Sequence, residues 1–235
     1  MCGRFVRTSP RAVIVDEFGV EHCVAVDFAP RYNIAPSQPL ETIINDGTEL
    51  RCGPMQWGYT TSVADKTQPS PINARAETIA TLPLFRDAFR RRRCLVVADG
   101  FYEWQKDGNT KTPYFIHLRS RRPFGFAAIW ASTRTAMGQR VGTCAILTCA
   151  PNELMAPIHN RMPVILPKAA RDRWLNRSAD AAELQSVLTP FPPAEMEAYV
   201  VSTLVNSPRN DGPENLKKTQ RPDSPVRAET GQTSR

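Results

Sequence analysis

Histidine is scarce in this sequence, and the cysteines lack the spacing of a zinc site. The 235 residues include three histidines and six cysteines, and no two cysteines form a CxxC pair. Structural zinc sites are built from four closely spaced Cys and His ligands. We therefore expect no metal ion, and the chemistry outlined below needs no organic cofactor.

Long apolar stretches are also missing. No run reaches the 18 apolar residues of a membrane-spanning helix, and the N-terminus has no apolar segment typical of a secretory signal. We therefore expect a protein outside the membrane, located in the cytoplasm. The cysteines should then be reduced thiols, most of them small buried core residues.

Charge is biased toward the basic side. The formal net charge is +7, from 30 lysines and arginines against 23 acidic residues. Basicity of this size permits a polyanionic partner without demanding one. The most basic stretch, Arg90–Arg93, ends a predicted helix over 83–91. It has two interpretations, a solvated helix end or a phosphate-facing patch.

The pattern of short apolar segments predicts the fold class. Strands outnumber helices, their connections are hairpin-like, and there is no alternation of strand and helix. We expect an α+β fold, with antiparallel β-sheets forming a barrel-like core flanked by short helices. One domain should span 1–206, followed by a disordered polar tail over 207–235 with almost no apolar residues. Nothing in the pattern predicts more than a monomer.

Turn residues predict two local elements near the N-terminus. Ser9 as N-cap, Pro10 as the first helical residue and Gly19 as a stop predict a helix over 10–18. Asp46-Gly47 predicts a hairpin between strands over 40–45 and 49–57.

Cys2 is the first candidate for chemistry. We expect Met1 to be removed before this small residue, leaving a free α-amine and a thiol on one residue. An α-amine has an ordinary pKa of about 7.7–8.0, so part of it is neutral and nucleophilic near pH 7. Such a residue can condense with an aldehyde and close to a five-membered thiazolidine. The alternative is an ordinary N-terminal residue.

Three further stretches carry polar residues in unusual places, and each has a structural alternative. Asn73, Arg75 and Glu77 would share one face of an extended strand, or form a surface ion pair. Glu103 lies in an aromatic strand, where burial would raise its pKa toward neutrality, or it faces water on an edge strand. His159 lies just before a strand, and a lone histidine is more often structural.

Taken together, these stretches resemble the SOS-response-associated peptidase (SRAP) family. The resemblance covers roughly residues 2–166 and comprises five ordered segments, namely Met1–Phe5, Arg31–Pro36, Asn73–Thr78, Ala98–Trp104 and His159–Pro163. The sequence departs from the family pattern at Tyr59-Thr60-Thr61 and at Val97. These departures concern loop shape more than the reactive residues.

The resemblance implies a sensor of abasic sites in single-stranded DNA that forms a covalent DNA–protein crosslink. It implies a crosslinking, lyase-like activity in the DNA damage (SOS) response. Cys2 takes the place of the family's nucleophile, with Asn73, Glu103 and His159 as its active-site partners. The family positions that contact DNA phosphates correspond to Arg4, Arg75 and Arg161.

Stacking on a neighbouring base would involve Trp104 and Trp57, each of which could equally be a core residue. Two rival functions remain open at this stage. One is a cysteine-type peptidase that acts on its own N-terminus or on other chains, and the other is a non-covalent reader of modified bases in DNA.

Overall fold

The fold is mostly β-structure. The computed structural model describes residues 2–20, 22–24, 29–61, 70–135 and 137–220. The strands within these ranges are β1 Phe5–Arg7, β2 His22–Cys23, β3 Arg31–Ile34, β4 Pro39–Asn45, β5 Leu50–Trp57, β6 Asn73–Arg75, β7 Arg93–Ala98, β8 Gly100–Asp107, β9 Thr110–Leu118, β10 Phe124–Arg134, β11 Arg140–Cys149, β12 Met162–Pro163, β13 Ile165–Leu166 and β14 Met196–Val200. The α-helices are α1 Arg11–Phe18, α2 Arg86–Arg91, α3 Lys168–Leu175 and α4 Ala181–Ser186.

Five strands close into a barrel. β4 pairs with β5, β5 with β11, β11 with β10, β10 with β7, and β7 returns to β4. All of these pairings are antiparallel except that of β5 with β11, which is parallel. The expected α+β class with a barrel-like core is confirmed, and the parallel pairing is the part that the hairpin-like pattern did not predict.

A second sheet lies beside the barrel in the order β14-β9-β8-β1-β3. The N-terminal strand β1 is therefore held between β8 and β3. Aromatic rings join the sheet to the barrel, since Phe5 meets Trp57 at 5.3 Å and Phe126 at 5.9 Å between ring centroids. The buried Phe5 side chain thus anchors the strand that follows Cys2.

The predicted helix near the N-terminus is confirmed as α1, and Gly19 ends it in the left-handed conformation with φ 62°. The expected cap is wrong, because the Ser9 hydroxyl does not cap the helix. It donates instead to the Asp99 carboxylate, which also accepts the backbone N–H of Ser9 at 2.8 Å. Asp99 therefore fixes the end of β1 to the turn before β8. The predicted hairpin is confirmed as β4 and β5.

The chain leaves the barrel at Asp99 and enters the second sheet at Gly100. A Cβ at Gly100 would lie 2.3 Å from the Phe115 ring and 2.8 Å from the Ile116 carbonyl oxygen. Contacts this short do not occur, so the close passage of β8 across β9 requires glycine here. Beyond this crossing β8 pairs with β1, so Glu103 lies on the strand next to the N-terminal strand.

The predicted start of the disordered tail, at residue 207, is wrong. The Asp211 carboxylate accepts the backbone N–H groups of Tyr32 and Asn33, at 2.5 and 2.8 Å. Asn215 is fully buried, and Lys218 forms a β-bridge with Val201. The ordered chain therefore continues to residue 220, held by polar contacts that a search for apolar residues cannot detect. Residues 221–235 lie outside the described ranges.

The six cysteines are all free thiols. Five are buried and Cys23 is half-buried, which confirms the expectation of mostly buried thiols. Among the described residues, no helix has the length and apolar character needed to cross a membrane.

Candidate active site

Cys2 lies where β1 begins, beside β8. It is fully buried, and its carbonyl oxygen accepts a hydrogen bond of 2.9 Å from the Asn73 amide Nδ2. Two residues further on, just before β1, the Arg4 carbonyl oxygen accepts the backbone N–H of Tyr102 at 3.0 Å. Burial raises the pKa of the Cys2 thiol, and the negative charge of Glu103 raises it further. The thiol is therefore protonated near pH 7 and needs a base.

Glu103 is a buried carboxylate on the face of β8 that points into the main core. Alternation along the strand puts it on the same face as Phe101, whose ring packs on Phe126 at 6.0 Å. Burial raises the pKa of Glu103 to about 7. Near neutral pH this carboxylate can both take up and release a proton.

His159 completes an acid–base pair with Glu103. Its Nε2 lies 4.0 Å from the Glu103 Oε2, and its Nδ1 lies 3.0 Å from the backbone nitrogen of Arg161. Burial lowers the pKa of His159. The imidazole is therefore neutral near pH 7. If Nδ1 accepts the Arg161 N–H, the proton on Nε2 faces the carboxylate.

Asn73 contributes an amide with one end still available. It lies on β6, which pairs in parallel with β11 opposite Ile146. The amide Nδ2 is engaged by Cys2, whereas the Oδ1 is buried and has no hydrogen-bond partner within the described residues. A buried acceptor without a partner is costly, so this oxygen is suited to an amine or hydroxyl donor.

The structure brings together the four residues that the sequence singled out for chemistry. Cys2 precedes β1, Asn73 is on β6, Glu103 is on β8, and His159 is in the turns before β12. In the described ranges, no group of three or more His, Cys, Asp or Glu side chains could hold a metal ion. The arrangement can take a proton from a buried nucleophile and return it to a leaving hydroxyl.

Gln105 is a residue that the sequence reasoning missed. It follows Glu103 by two positions on β8, and its Nε2 donates to the Pro157 carbonyl oxygen at 2.7 Å. This bond ties the turns that carry His159 to the strand that carries Glu103. Alternation along the strand could have identified it, because i and i+2 share a face.

Arg161 is held by Glu77 in a bidentate ion pair. Its two terminal nitrogens lie 2.7 and 2.9 Å from the two carboxylate oxygens of Glu77. The expectation that Glu77 lines up with Asn73 and Arg75 on one strand is wrong, because β6 ends at Arg75 and the chain turns. Arg75 is exposed at the strand end, with its side chain free to meet solvent.

Trp104 is on the opposite face of β8 from Glu103, and it bonds to the same turn as Arg4. Arg4 is half-buried and donates to the Asn33 Oδ1 and the Val205 carbonyl oxygen, both at 2.9 Å. The Trp104 Nε1 donates to the Asn206 Oδ1 at 2.8 Å. Both side chains are therefore attached to the turn at Thr203–Asn206 and make contacts within the protein.

The expectation that Trp57 stacks on a base is wrong for this structure. Its side chain is fully buried between the barrel and Phe5, and its Nε1 donates to the Ile72 carbonyl oxygen at 2.9 Å. The reason is the pleat at the end of β5, which turns Met55 and Trp57 inward and leaves Gln56 between them exposed.

A closed five-stranded barrel beside a second sheet, with Cys2 close to an amide, a carboxylate and an imidazole, defines a class of protein. A family model described as SOS response associated peptidase (SRAP) matches residues 1–208. The chain belongs to this family.

Several relatives carry names that refer to DNA lesions. The abasic site processing protein YoqW of Bacillus subtilis strain 168 is 44% identical over 219 residues, covering 91% of this chain and 98% of that protein. The abasic site processing protein YedK of Escherichia coli K12 is 32% identical over 223 residues, with the same shares covered. A crystal structure of a protein from Bacteroides thetaiotaomicron superposes with a TM-score of 0.83 at 27% identity, covering 93% of this chain and 100% of that chain.

Proposed function

We propose that this protein recognises abasic sites in single-stranded DNA and binds them covalently through Cys2 after Met1 is removed. The observation that carries the proposal is the contact of Cys2 with Asn73 beside the Glu103–His159 pair. The names of YoqW and YedK, abasic site processing proteins, support the lesion as the substrate. The product would be a thiazolidine that shields the lesion.

The chemistry begins with the ring-opened sugar, whose aldehyde is the electrophile. The neutral α-amine of Cys2 adds to the aldehyde carbon and gives a carbinolamine. Loss of its hydroxyl as water gives an imine. The thiol sulfur then adds to the imine carbon, the thiol proton ends on the nitrogen, and the five-membered ring closes. Overall, one water leaves and no oxidant or reductant is needed.

Each neighbouring side chain has a task in this sequence. Glu103, with a pKa of about 7, removes a proton from the amine or thiol and returns it to the departing hydroxyl. The neutral His159 exchanges protons with the carboxylate and assists ring opening. The Asn73 Oδ1, which has no partner among the described residues, orients the amine or a sugar hydroxyl. Because the thiol is protonated, the amine attacks first.

The DNA backbone would be held by arginines around the lesion. Arg75 is exposed, Arg4 and Arg161 are half-buried, and all three correspond to positions that contact DNA phosphates in the family. Trp104, also half-buried, is the remaining candidate for stacking on a base. We propose that the protein acts as a monomer in the cytoplasm, where Cys2 stays reduced.

Glu77 limits the phosphate contact of Arg161, and replacing it tests this. Phosphate and the Glu77 carboxylate compete for the same guanidinium nitrogens. Glu77→Gln should therefore tighten binding of intact single-stranded DNA by about tenfold, the lower end of the value of one charge-assisted hydrogen bond. Fluorescence polarisation at fixed ionic strength measures this effect.

The matched control for that experiment is Glu195→Gln. It makes the same change in net charge at an exposed position in a 3-10 turn. Equal tightening in both variants would mean that the loss of one negative charge, and not the release of Arg161, accounts for the tighter binding. Weaker binding in Glu77→Gln would mean that Glu77 orients Arg161 toward the phosphate.

The proposed function is tested by one denaturing gel. The mature protein is incubated with single-stranded DNA in which uracil glycosylase has created an abasic site, and the mixture is heated in detergent. A heat-stable shifted band supports the proposal. Cleavage of peptide substrates without such a band favours a thiol peptidase. Binding of modified duplex DNA without any band favours a non-covalent reader.

A further inference from the structure

A second concave site lies on the barrel, between the end of α2, the turn between β4 and β5, and the end of α3. This cavity of about 370 Å³ is lined by Arg91, Arg92, Arg93 and Arg177, with Asp46 and Trp130. We call it the basic cavity. None of its lining residues belongs to the site around Cys2, and the arginine run of the sequence accounts for three of them.

Arg93 has a structural role in this cavity. Its side chain is buried, and its nitrogens donate to the carbonyl oxygens of Trp174 and Asn176, both at 2.7 Å. A further bond of 2.9 Å goes to the Phe89 carbonyl oxygen. Arg93 thus satisfies the free carbonyls at the ends of α2 and α3. The helix-end interpretation of the arginine run holds for this residue.

The remaining positive charge is not balanced by the acid that lines the cavity. The Asp46 carboxylate binds Arg51 at 2.6 Å and accepts the backbone N–H of Thr48 at 2.9 Å, so it faces its own turn. Arg177 donates to the Asp46 backbone carbonyl and not to its carboxylate. Its charge lowers the pKa of Arg93, after the larger effect of burial. Like charges held this close favour a bound anion.

Two more features indicate the kind of anion. The Arg92 Nε is buried and has no hydrogen-bond partner in the described part of the chain. Trp130 is half-buried in the wall, next to arginines that can bind a phosphate in bidentate fashion. An aromatic wall with a cationic rim suits a base joined to a phosphate, and the volume is in the range of small-ligand sites.

We propose that the basic cavity binds one nucleotide of a single-stranded DNA strand, with the phosphate on Arg91 and Arg177 and the base against Trp130. The choice of DNA over other phosphoesters rests on the function proposed above. The cavity would then bind an undamaged part of the same DNA strand, at a distance from the lesion. The protein would contact a longer stretch of DNA than the Cys2 site alone.

Photo-crosslinking tests this without using the lesion chemistry. The full-length Cys2→Ala protein is irradiated with an abasic-free oligonucleotide that carries 5-iodouracil, and the labelled peptide is identified by mass spectrometry. The label is expected on Trp130. Because neither an aldehyde nor the Cys2 thiol takes part, the result is independent of the proposed crosslink.

Arg91→Ala and Arg90→Ala form a matched pair. Both arginines are exposed on α2 and both changes remove one charge, but only Arg91 lines the cavity. Arg91→Ala should reduce labelling of Trp130 and lower the salt dependence of oligonucleotide binding by about one ion. Arg90→Ala should leave the labelling unchanged. Equal losses in the two variants would overturn the proposal.

Free 5-iodo-deoxyuridine monophosphate separates a strand from a free nucleotide. Labelling of Trp130 by the oligonucleotide, but not by the mononucleotide at the same nucleotide concentration, supports the proposal. If the mononucleotide labels Trp130 and an excess of intact oligonucleotide does not reduce this labelling, the cavity is a site for free nucleotides and the proposal is overturned. An absence of label on Trp130 overturns it outright.

Discussion

Replacement of Cys2 by alanine is expected to reduce the heat-stable DNA adduct to background. Alanine also permits removal of Met1, so the variant keeps an α-amine and loses only the sulfur that closes the ring. The reaction should then stop at the imine, which water reverses. Sodium borohydride should reduce that imine and restore a stable band. The denaturing gel with and without borohydride measures both outcomes.

A variant with a lysine inserted between Met1 and Cys2 tests the amine in the same assay. The bulky second residue retains Met1, so the thiol remains while the amine of Cys2 is in a peptide bond. No heat-stable adduct is expected without borohydride, because the amine and the thiol no longer share one residue and a thiazolidine cannot close. Cys2 is fully buried, so thermal melts must show that each variant is folded. Intact-mass analysis that finds Met1 still attached in active protein would contradict the mechanism.

The sequence predicted the site more fully than it predicted the site's surroundings. Cys2, Asn73, Glu103 and His159 were found because each lies in a segment that resembles the family, and the fold brings these segments together. Spacing alone could not place His159 beside Glu103, since the contact joins β8 to a turn more than fifty residues later. Long-range contacts of this kind depend on topology.

The predictions that were wrong share one physical cause, which is contact between residues that are distant in the sequence. Trp57 is buried because its strand turns it toward Phe5, and composition alone does not reveal that direction. Glu77 pairs with Arg161 across the site rather than along its own strand. Residues 207–220 are ordered by Asp211 and Asn215, although this segment has almost no apolar residues. Polar anchoring leaves no periodic signal.

Replacement of Glu103 by glutamine is expected to slow crosslinking by about 10²–10⁴-fold, the usual contribution of a positioned acid–base group. The amide keeps the size and the hydrogen-bonding ability of the side chain but cannot carry the proton. In the wild-type protein burial raises the pKa of the Glu103 carboxyl to about 7, so it loses its proton near pH 7. The wild-type rate should therefore rise with pH around 7. In the variant the rise should move toward the ordinary amine pKa of about 8. Single-turnover rates from pH 5.5 to 9 measure this.

The same substitution should make the folded protein more stable at alkaline pH. Because burial raises the pKa of Glu103 from 4.5 to about 7, the folded state favours the neutral carboxyl. That contribution to stability is complete below pH 4.5 and is lost as the pH rises through 7. Its size is up to about 3 kcal/mol for a shift of this extent. Glutamine stays neutral, so the free energy of unfolding of Glu103→Gln relative to wild type should increase between pH 5 and 8, as measured by urea denaturation. Glu195→Gln, an exposed control, should show neither effect. If Glu103→Gln is more stable but crosslinks more slowly, the carboxylate serves the chemistry and lowers the stability of the fold. If Glu103→Gln crosslinks at the wild-type rate, Glu103 has no role in the mechanism.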